Sequence, residues 1–430
     1  MRDGSTSGRR HAGLAAAALA GAACLLIAGC QGGTGGTAPP AADGSATTSP
    51  SAAGMRLLIT PVNGSRHIRP DKGITVTAAG GTISSVTVRG TGAAVTGRMN
   101  AAKTSWRSTW ALSPSARYTV TANAVSRSGQ PVTATSSFRT LRPALTFQTM
   151  IFEGYHKTYG VGMPIMLTFS QPITNKAAVE RALQLRTSKP VVGSWYWDGD
   201  KTLDFRPRGY WPAHTKVSFT GHLDGVEGAP GIYGTHTLTQ SFSIGKSLIV
   251  VASTSSHHMK VFRNGKLFRK WPISTGKPGD NTPNGTYLTI EKGNPVLMKG
   301  PGYRIKVPWS VRFTWSGDYL HDAFWSVGQQ GFANVSHGCV NMAPADAEMY
   351  YKMELPGDPV TITGSPRAGV WDNGWTQWFL SWDRYLKGSA LHKAVQAGPA
   401  GSRFVSPSTL PAADPASPID GPPPGNWAAS

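Results

Sequence analysis

Cysteine is scarce in this chain. Its 430 residues include only Cys24, Cys30 and Cys339, and the first two lie in an N-terminal leader. Cys339 therefore has no disulfide partner in the exported chain, which excludes a disulfide-stapled fold. An unpaired thiol in an oxidising compartment indicates reactivity. The alternative is a buried cysteine that packs as a small hydrophobic residue.

Acidic residues are also few. Asp and Glu total 22 against 42 Lys and Arg, so the formal charge is +20. The basic residues form no run and no nucleic-acid motif accompanies them, so we predict no nucleic-acid partner. For an exported chain, anionic wall polymers and lipid headgroups are the expected partners. The alternative is a charge that serves solubility in general.

Long charged helices are not expected. Only 15% of the residues are charged, whereas Gly (51) and Pro (32) are abundant. This balance favours strands and loops, and it predicts a mainly β protein. The sequence shows no cofactor motif, and we expect no cofactor.

The N-terminus has the pattern of an export signal. Residues 1–29 place Arg9-Arg10 before an apolar run, residues 12–28, that is too short to span a membrane comfortably. The run ends in Leu26-Ile-Ala-Gly-Cys30, which resembles a lipobox. We expect acylation of Cys30 to anchor the protein at the extracytoplasmic face of the cell membrane. The alternative is a simple signal peptide cut elsewhere. Residues 30–54 have almost no large apolar side chain and predict a disordered tether.

Short alternating runs fill the next two hundred residues. They predict two immunoglobulin-like β-sandwich domains, at residues 55–142 and 145–245, with a short helix at 177–185 in the second. Within the second unit, Asp224 and Glu227 lie on a glycine-bearing loop. Two carboxylates are few for Ca²⁺, so we expect a plain loop and keep a calcium site as the alternative.

Residues 321–342 carry the chemistry. Cys339 follows Ser336-His337-Gly338 and precedes Asn341, and His321 lies upstream. A thiol becomes a nucleophile when a nearby imidazole takes its proton, and His321 and His337 are both candidates. The amides of Gly338 and Cys339 could bind an oxyanion. A zinc site from the two histidines and Cys339 is a weaker alternative because no fourth ligand is evident.

This stretch resembles the L,D-transpeptidases of bacterial cell walls. Their catalytic domain has a histidine, about fifteen residues, and then Ser/Thr-His-Gly-Cys-x-Asn; here fourteen residues separate His321 from Ser336. A weaker family motif, Thr-Pro-x-Gly-x-aromatic, matches residues 282–287. The resemblance assigns residues 246–364 to a β-rich YkuD-type catalytic domain. The tandem sandwiches resemble the spacer domains of multidomain relatives.

The resemblance also implies an activity and its residues. Cys339 would attack a peptidoglycan tetrapeptide stem, release D-Ala, and pass the acyl group to a second stem as a 3→3 cross-link. His321 would be the base, oriented by the main-chain carbonyl of Asp322, and Gly338 an oxyanion amide. Carbapenems would acylate the same thiol. His337 would shape the pocket, and the remaining substrate-site positions are Tyr303, Ser316, Gly317, Asp322, Ser336 and Asn341.

Two other functions stay open. A cysteine hydrolase that trims stems would use the same residues, with water resolving the thioester. A non-catalytic wall-binding lipoprotein would leave the cysteine and histidines without a role.

The last part of the chain begins with a Trp-rich extension. Residues 365–399 repeat aromatics at helical spacing, which predicts a helix packed on the catalytic domain, with a sugar platform as the alternative. Residues 400–430 predict a disordered tail.

Overall fold

The computed structural model describes residues 54–300 and 302–410. The predicted signal peptide, Cys30, nearly all of the tether and residues 411–430 lie outside the described residues. No helix within the described ranges is long and apolar enough to cross a membrane.

The first domain is a sandwich of two antiparallel sheets, ordered β1-β2-β5-β4 and β3-β6-β7. Its strands alternate buried and exposed residues, so that Trp106, Val120 and Phe138 meet in one core between the sheets. A 3₁₀ helix, Pro70–Lys72, joins the first two strands. The strands are β1 Arg56–Thr60, β2 Thr75–Ala79, β3 Gly81–Gly90, β4 Gly97–Met99, β5 Ser105–Ser108, β6 Arg117–Ser126 and β7 Pro131–Arg139.

The second domain is a larger sandwich with its own core, which contains Trp195, Phe205 and Phe219. Its sheets include the order β10-β18-β15-β12, and the series β13-β14-β11-β9 within a larger sheet. Its one helix is α1, Lys176–Arg181. The strands are β8 Leu145–Phe147, β9 Thr149–Ile151, β10 Thr158–Tyr159, β11 Ile165–Phe169, β12 Leu183–Thr187, β13 Val191–Asp198, β14 Thr202–Pro207, β15 Lys216–Gly221, β16 Glu227–Ala229, β17 Ile232–Gly234 and β18 Leu238–Ile244.

The helix predicted at 177–185 was too long. It ends at Arg181, and β12 begins two residues later. Leu183 and Leu185 are buried at alternate positions of a strand that pairs with β15. Burial of both leucines in the sheet therefore outweighs the helical tendency of residues 177–185, a segment too short to form a stable helix by itself.

The loop considered for calcium contacts the first domain instead. The Ser113 hydroxyl donates to Asp224 Oδ2 at 2.5 Å, and Arg69 pairs with Glu227 at 2.5 Å. Within the described ranges, no group of three or more Asp, Glu, His or Cys side chains is arranged to hold a metal. The two carboxylates serve the contact between the sandwiches.

The third domain, predicted to be catalytic, contains a five-stranded sheet, β21-β20-β19-β29-β22, and a four-stranded sheet, β23-β26-β27-β28. Asn264-Gly265, both with positive φ, form the tight turn between β20 and β21. The elements are β19 Leu248–Ser253, β20 His258–Arg263, β21 Lys266–Pro272, β22 Gly285–Leu288, β23 Glu291–Gly293, β24 Val296–Gly300, β25 Tyr303–Val307, β26 Ser310–Arg312, β27 Tyr319–Asp322, a 3₁₀ helix Phe324–Ser326, β28 Val340–Met342, α2 Pro344–Met353 and β29 Pro359–Thr363.

The C-terminal segment packs differently from the helix predicted for residues 365–399. A 3₁₀ helix, Gln377–Phe379, and α3, Trp382–Lys387, are both short. Trp378 lies against Tyr210 and beneath the buried Arg206 of the second sandwich, while Phe379 packs on Tyr287 of the catalytic domain. The predicted packing on the catalytic domain therefore holds for Phe379, whereas Trp378 contacts the second sandwich, so the aromatics join two domains.

The disordered tail predicted from residue 400 was also wrong for its first part. Ala394–Gly398 (β30) and Gly401–Val405 (β31) form a hairpin, and a last 3₁₀ helix covers Pro407–Thr409. β30 pairs with β13, so the two strands of the hairpin extend the larger sheet of the second sandwich to six strands. Ala394, Val395 and Ala397 are buried in that contact, which supplies the apolar surface that holds the hairpin.

Candidate active site

The thiol and its candidate base lie on neighbouring strands. Cys339 directly precedes β28, which runs parallel to β27 with His321 opposite Asn341. The thiol is half-buried, and its Sγ lies 3.8 Å from the carbonyl oxygen of Gly317. Burial, with a contribution from the carboxylate of Asp318, raises the pKa of the Cys339 thiol to about 12, although a main-chain N–H lowers it slightly. The resting thiol is therefore protonated and needs a base.

His321 has the environment of a neutral base. Its side chain is 3% exposed, and its Nδ1–H donates to the carbonyl oxygen of Asp322 at 2.7 Å. Trp325 stacks on the ring with 5.9 Å between centroids. Burial lowers the pKa of His321 to about 4, so the ring is uncharged near neutral pH. Because Nδ1 carries the proton, Nε2 retains the lone pair that can accept another.

His337 lies on the other face of the motif. Its ring is exposed and stacks on Tyr303 at 5.1 Å, and its Nε2 is 3.1 Å from the ammonium nitrogen of Lys277. An ammonium can only donate, so Lys277 occupies the lone pair of Nε2. The structure therefore places His337 as a neighbour of Lys277 and Tyr303.

Gly338 permits a turn that other residues would block. Its φ is +127°, and a Cβ added here would lie 2.4 Å from Oδ1 of Asp318. Its N–H donates to Oγ of Ser336 at 3.2 Å, and its carbonyl accepts from the Thr282 hydroxyl at 2.6 Å. The amide predicted to bind an oxyanion is thus engaged by Ser336 in this conformation. That bond is long and therefore weak.

Three other predicted substrate residues have structural contacts. Ser336 is buried, and its hydroxyl donates to the carbonyl of Cys339 at 2.6 Å. Asn341 is buried and donates to the hydroxyl of Ser326 at 3.0 Å. The carboxylate of Asp322 accepts from the N–H of Phe324 at 3.0 Å. These side chains fix the turns around the cysteine and are not free to meet a substrate in this conformation.

The other three line the approach to the thiol. Ser316 precedes Gly317, whose carbonyl faces Sγ, and Asn373 donates to the Ser316 hydroxyl at 2.9 Å. Tyr303 is 37% exposed on β25. Burial and the field of Cys339 both raise the pKa of its phenol. The Tyr303 hydroxyl is therefore within electrostatic reach of the thiol.

Sequence reasoning missed several residues of the site. Asp318, Trp325 and Lys277 received no role, and Thr282 was noted only as part of a family motif. Thr282 in fact connects two loops, because its hydroxyl donates to Gly338 and accepts from the N–H of Gly276 at 2.9 Å. The motif at 282–287 was the available signal for Thr282. A single carboxyl such as Asp318 gives no signal in the sequence, because its role depends on neighbours that only the fold brings near.

Comparisons with known proteins agree with the two kinds of domain. A family model for the L,D-transpeptidase catalytic domain matches residues 247–362, and one for a bacterial Ig domain matches residues 65–227. A solved L,D-transpeptidase from Mycobacterium tuberculosis H37Rv is 32% identical, covers 50% of this chain and 96% of its own, and superposes with a TM-score of 0.41.

Two relatives align with most of the chain. L,D-transpeptidase 2 of Mycobacterium tuberculosis (strain CDC 1551 / Oshkosh) is 30% identical over 349 residues, covering 78% of this chain and 85% of that protein. L,D-transpeptidase 5 of Mycobacterium tuberculosis (strain ATCC 25618 / H37Rv) is 32% identical over 353 residues, covering 78% of this chain and 77% of that protein. With this identity over more than three quarters of each partner, the chain belongs to the L,D-transpeptidase family.

Proposed function

We propose that this protein forms 3→3 peptidoglycan cross-links by cysteine acyl transfer. The thiol of Cys339 attacks the carbonyl that joins the third stem residue, a diamino acid, to D-Ala. D-Ala leaves with a proton, and a thioester remains on the enzyme. The amine of a second stem then attacks the thioester carbonyl, the C–S bond breaks, and the thiol regains a proton. Stem peptides are the substrates, and no cofactor takes part.

The observation that carries the proposal is the neutral, oriented imidazole of His321 on the strand beside Cys339. Its Nδ1 is held by the Asp322 carbonyl, and its pKa near 4 keeps Nε2 unprotonated at neutral pH. The Lys277 ammonium occupies Nε2 of His337. His321 is therefore the base that takes the thiol proton and later delivers it to the leaving amine.

The tetrahedral intermediates need donors for their oxyanion. The amide of Cys339 and the hydroxyl of Tyr303 are the proposed donors, with the Gly338 amide joining them when it releases Ser336. A single donor of this kind typically contributes about 3 kcal/mol to transition-state binding.

The test uses purified disaccharide-tetrapeptide. Mature enzyme should release D-Ala and produce cross-linked dimers, identified by mass spectrometry, while Cys339→Ser should produce neither. Tripeptide monomers without dimers would overturn the transpeptidase proposal in favour of the hydrolase. If folded wild-type enzyme leaves the substrate intact, the transpeptidase and the hydrolase proposals are both overturned.

We also propose carbapenems as inhibitors. Their strained lactam presents an acyl carbonyl to the same thiol, and ring opening forms a thioester. Intact mass should show a single adduct on the wild type and none on Cys339→Ser. An adduct that persists in the serine variant would place the reaction elsewhere.

For location, we propose attachment to the extracytoplasmic face of the cell membrane through lipid on Cys30. Each buried CH₂ of an acyl chain contributes roughly 0.8 kcal/mol, so two or three chains hold a protein stably. The composition of residues 31–54 would then give the folded domains reach into the wall.

A further inference from the structure

A carboxylate lies beside the nucleophile and has no part in the mechanism proposed so far. Asp318 is 7% exposed, yet it sits three residues before His321 and its field reaches the Cys339 thiol. A negative charge here disfavours the thiolate that the reaction needs. Because this charge hinders formation of the thiolate in the first step, we expect Asp318 to assist a later step of the reaction.

One oxygen of Asp318 has a structural task. Oδ2 accepts from the hydroxyls of Thr314 at 2.7 Å and Ser316 at 3.2 Å. The Asp318 N–H in turn donates to the Thr314 hydroxyl at 2.8 Å. These bonds fix the carboxyl group in one orientation, so the direction of the other oxygen is set by the fold.

The other oxygen faces the catalytic turn. Oδ1 is the atom nearest to the space where a Cβ of Gly338 would be, at 2.4 Å. None of the described residues donates a hydrogen bond to it, whereas Oδ2 accepts two. A fixed carboxylate oxygen therefore lies against the main chain next to Cys339, where the proposed acyl-enzyme would form.

No cation of the described part of the chain pairs with this oxygen. Arg367 is near enough for its field to act on Asp318, but its guanidinium donates to the carbonyl of Asn281 at 3.2 Å. A largely buried carboxylate without a paired cation is costly to keep. A positively charged substrate group that arrives at Oδ1 would offset this cost.

We propose that Oδ1 of Asp318 binds the ammonium group of the acceptor diamino acid and accepts one of its protons. This inference rests on the proposed cross-linking function and adds the residue that selects the acceptor. The ammonium loses one proton to Asp318, and the neutral amine attacks the thioester carbonyl. The new C–N bond forms, the C–S bond breaks, the second amine proton passes through His321 to the thiolate, and Asp318 returns its proton to solvent.

The position favours the acceptor over the donor as the source of this ammonium. An attacking amine must come within about 3–3.5 Å of the thioester carbonyl. Oδ1 faces Gly338, the residue next to the sulfur that carries the acyl group. The donor stem also bears a side-chain amine, and the experiment separates the two sources.

The test compares wild type, Asp318→Asn and a matched control, Asp383→Asn, which removes an exposed carboxylate on α3. The donor is disaccharide-tetrapeptide, and the acceptor is disaccharide-tripeptide at varied concentration. Methoxyamine, which is uncharged at neutral pH, serves as a second nucleophile. Carbapenem acylation reports whether each variant is folded and has a working thiol.

In Asp318→Asn, the tripeptide concentration for half-maximal cross-linking should rise about 10- to 100-fold, the usual worth of a hydrogen bond to a charged group. The methoxyamine rate should stay within about twofold of wild type, and carbapenem acylation should not slow. Asp383→Asn should match wild type throughout. The inference is overturned if Asp318→Asn slows the reactions with tripeptide and methoxyamine equally, or if it slows only donor acylation. It is also overturned if the dependence of the rate on tripeptide concentration does not change.

A measurement on wild type covers the case in which Asp318→Asn does not fold. A tripeptide with a dimethylated amine keeps its positive charge but cannot form an amide. It should inhibit cross-linking competitively with the acceptor and leave donor acylation unchanged; no inhibition would count against Asp318. If wild type releases no D-Ala from tetrapeptide, the proposed function itself fails, independently of these comparisons.

Discussion

At the scale of the residue, burial sets the protonation of Cys339 and His321, the proposed nucleophile and base. It moves the pKa of Cys339 up and that of His321 down, so both are neutral at rest. The two shifts work together, because a neutral imidazole can accept the proton that a neutral thiol holds. Deprotonation is then coupled to attack on the substrate, and no free thiolate is exposed to oxidants.

The first prediction concerns the base. His321→Ala should slow carbapenem acylation at pH 7 by about 100-fold or more, the usual contribution of a general base, while His337→Ala should change it by less than 10-fold. The wild-type rate should be constant around neutral pH and fall only as the pH drops through about 4, where His321 becomes protonated. Stopped-flow acylation measures both effects. A larger loss in His337→Ala would reverse the assignment.

The second prediction concerns the thiol. Asp318→Asn removes a negative charge beside Cys339, so the pKa of the thiol should fall and alkylation by iodoacetamide at pH 8 should become faster. The rate of alkylation against pH measures the shift, with Asp383→Asn as the control. Slower alkylation in a folded Asp318→Asn would contradict the electrostatic role given to this carboxylate.

At the scale of the element, the cysteine turn depends on a loop far away in sequence. Thr282 connects the turn to the loop at Gly276 through two buried hydrogen bonds, and the main chains of Gly276 and Ser336 form a β-bridge. The motif around Thr282 therefore has a mechanical role at the active site. It holds the carbonyl of Gly338, and hence the direction of the neighbouring amides.

The third prediction follows from this contact. Thr282→Val leaves the Gly276 N–H and the Gly338 carbonyl without a partner, so the free energy of unfolding should fall by about 2 kcal/mol and acylation should slow at least 10-fold. Thr286→Val is the control, because its hydroxyl forms a hydrogen bond with the Thr361 hydroxyl within the five-stranded sheet, away from the cysteine turn. The control should lower stability without slowing acylation of the folded protein. Denaturant unfolding and acylation kinetics separate the two results.

Elements with local causes could be predicted from the sequence. Asn264-Gly265 determines its hairpin through turn chemistry, and the motif from Ser336 to Asn341 predicted a nucleophile at Cys339, which the fold places directly before β28. The aromatics at Trp375 and Trp378 have helical spacing, but their conformation depends on Tyr210 and Arg206 in another domain. The roles of Asn341 and Asp318 likewise depend on partners that only the fold brings near.

At the scale of the whole molecule, the C-terminal segment packs against the second sandwich, which comes earlier in the chain. The C-terminal hairpin pairs with β13, and Ser402 accepts a hydrogen bond from the N–H of Leu185 at 2.9 Å. Before the hairpin, Phe379 lies in the core of the catalytic domain. One segment thus ties the catalytic domain to the second sandwich, and the spacer domain has a part in the stability of the enzyme.

The fourth prediction concerns the proposed anchor. Cys30→Ala should move the protein from the membrane fraction to the soluble fraction, because no acyl chain could then be attached at the lipobox. Fractionation after metabolic labelling with a fatty acid measures this. The released protein should retain carbapenem acylation, since Cys30 lies in a segment separated from the thiol by two sandwich domains. Equal membrane retention in the variant would show that another feature holds the protein there.

The fifth prediction is that the C-terminal hairpin stabilises the second sandwich without contributing to the chemistry. A chain ending at residue 392 lacks β30 and β31 and leaves the edge at Val191–Asp198 unpaired, and an open edge promotes aggregation. It also loses the buried side chains of Val395 and Ala397, so the free energy of unfolding should fall by about 3 kcal/mol. A chain ending at residue 410 keeps the hairpin and is the matched control. Both chains should acylate with carbapenem at the same rate per folded molecule. A slower rate in the shorter chain would mean that the hairpin also acts on the active site, through the segment that joins it to the catalytic domain.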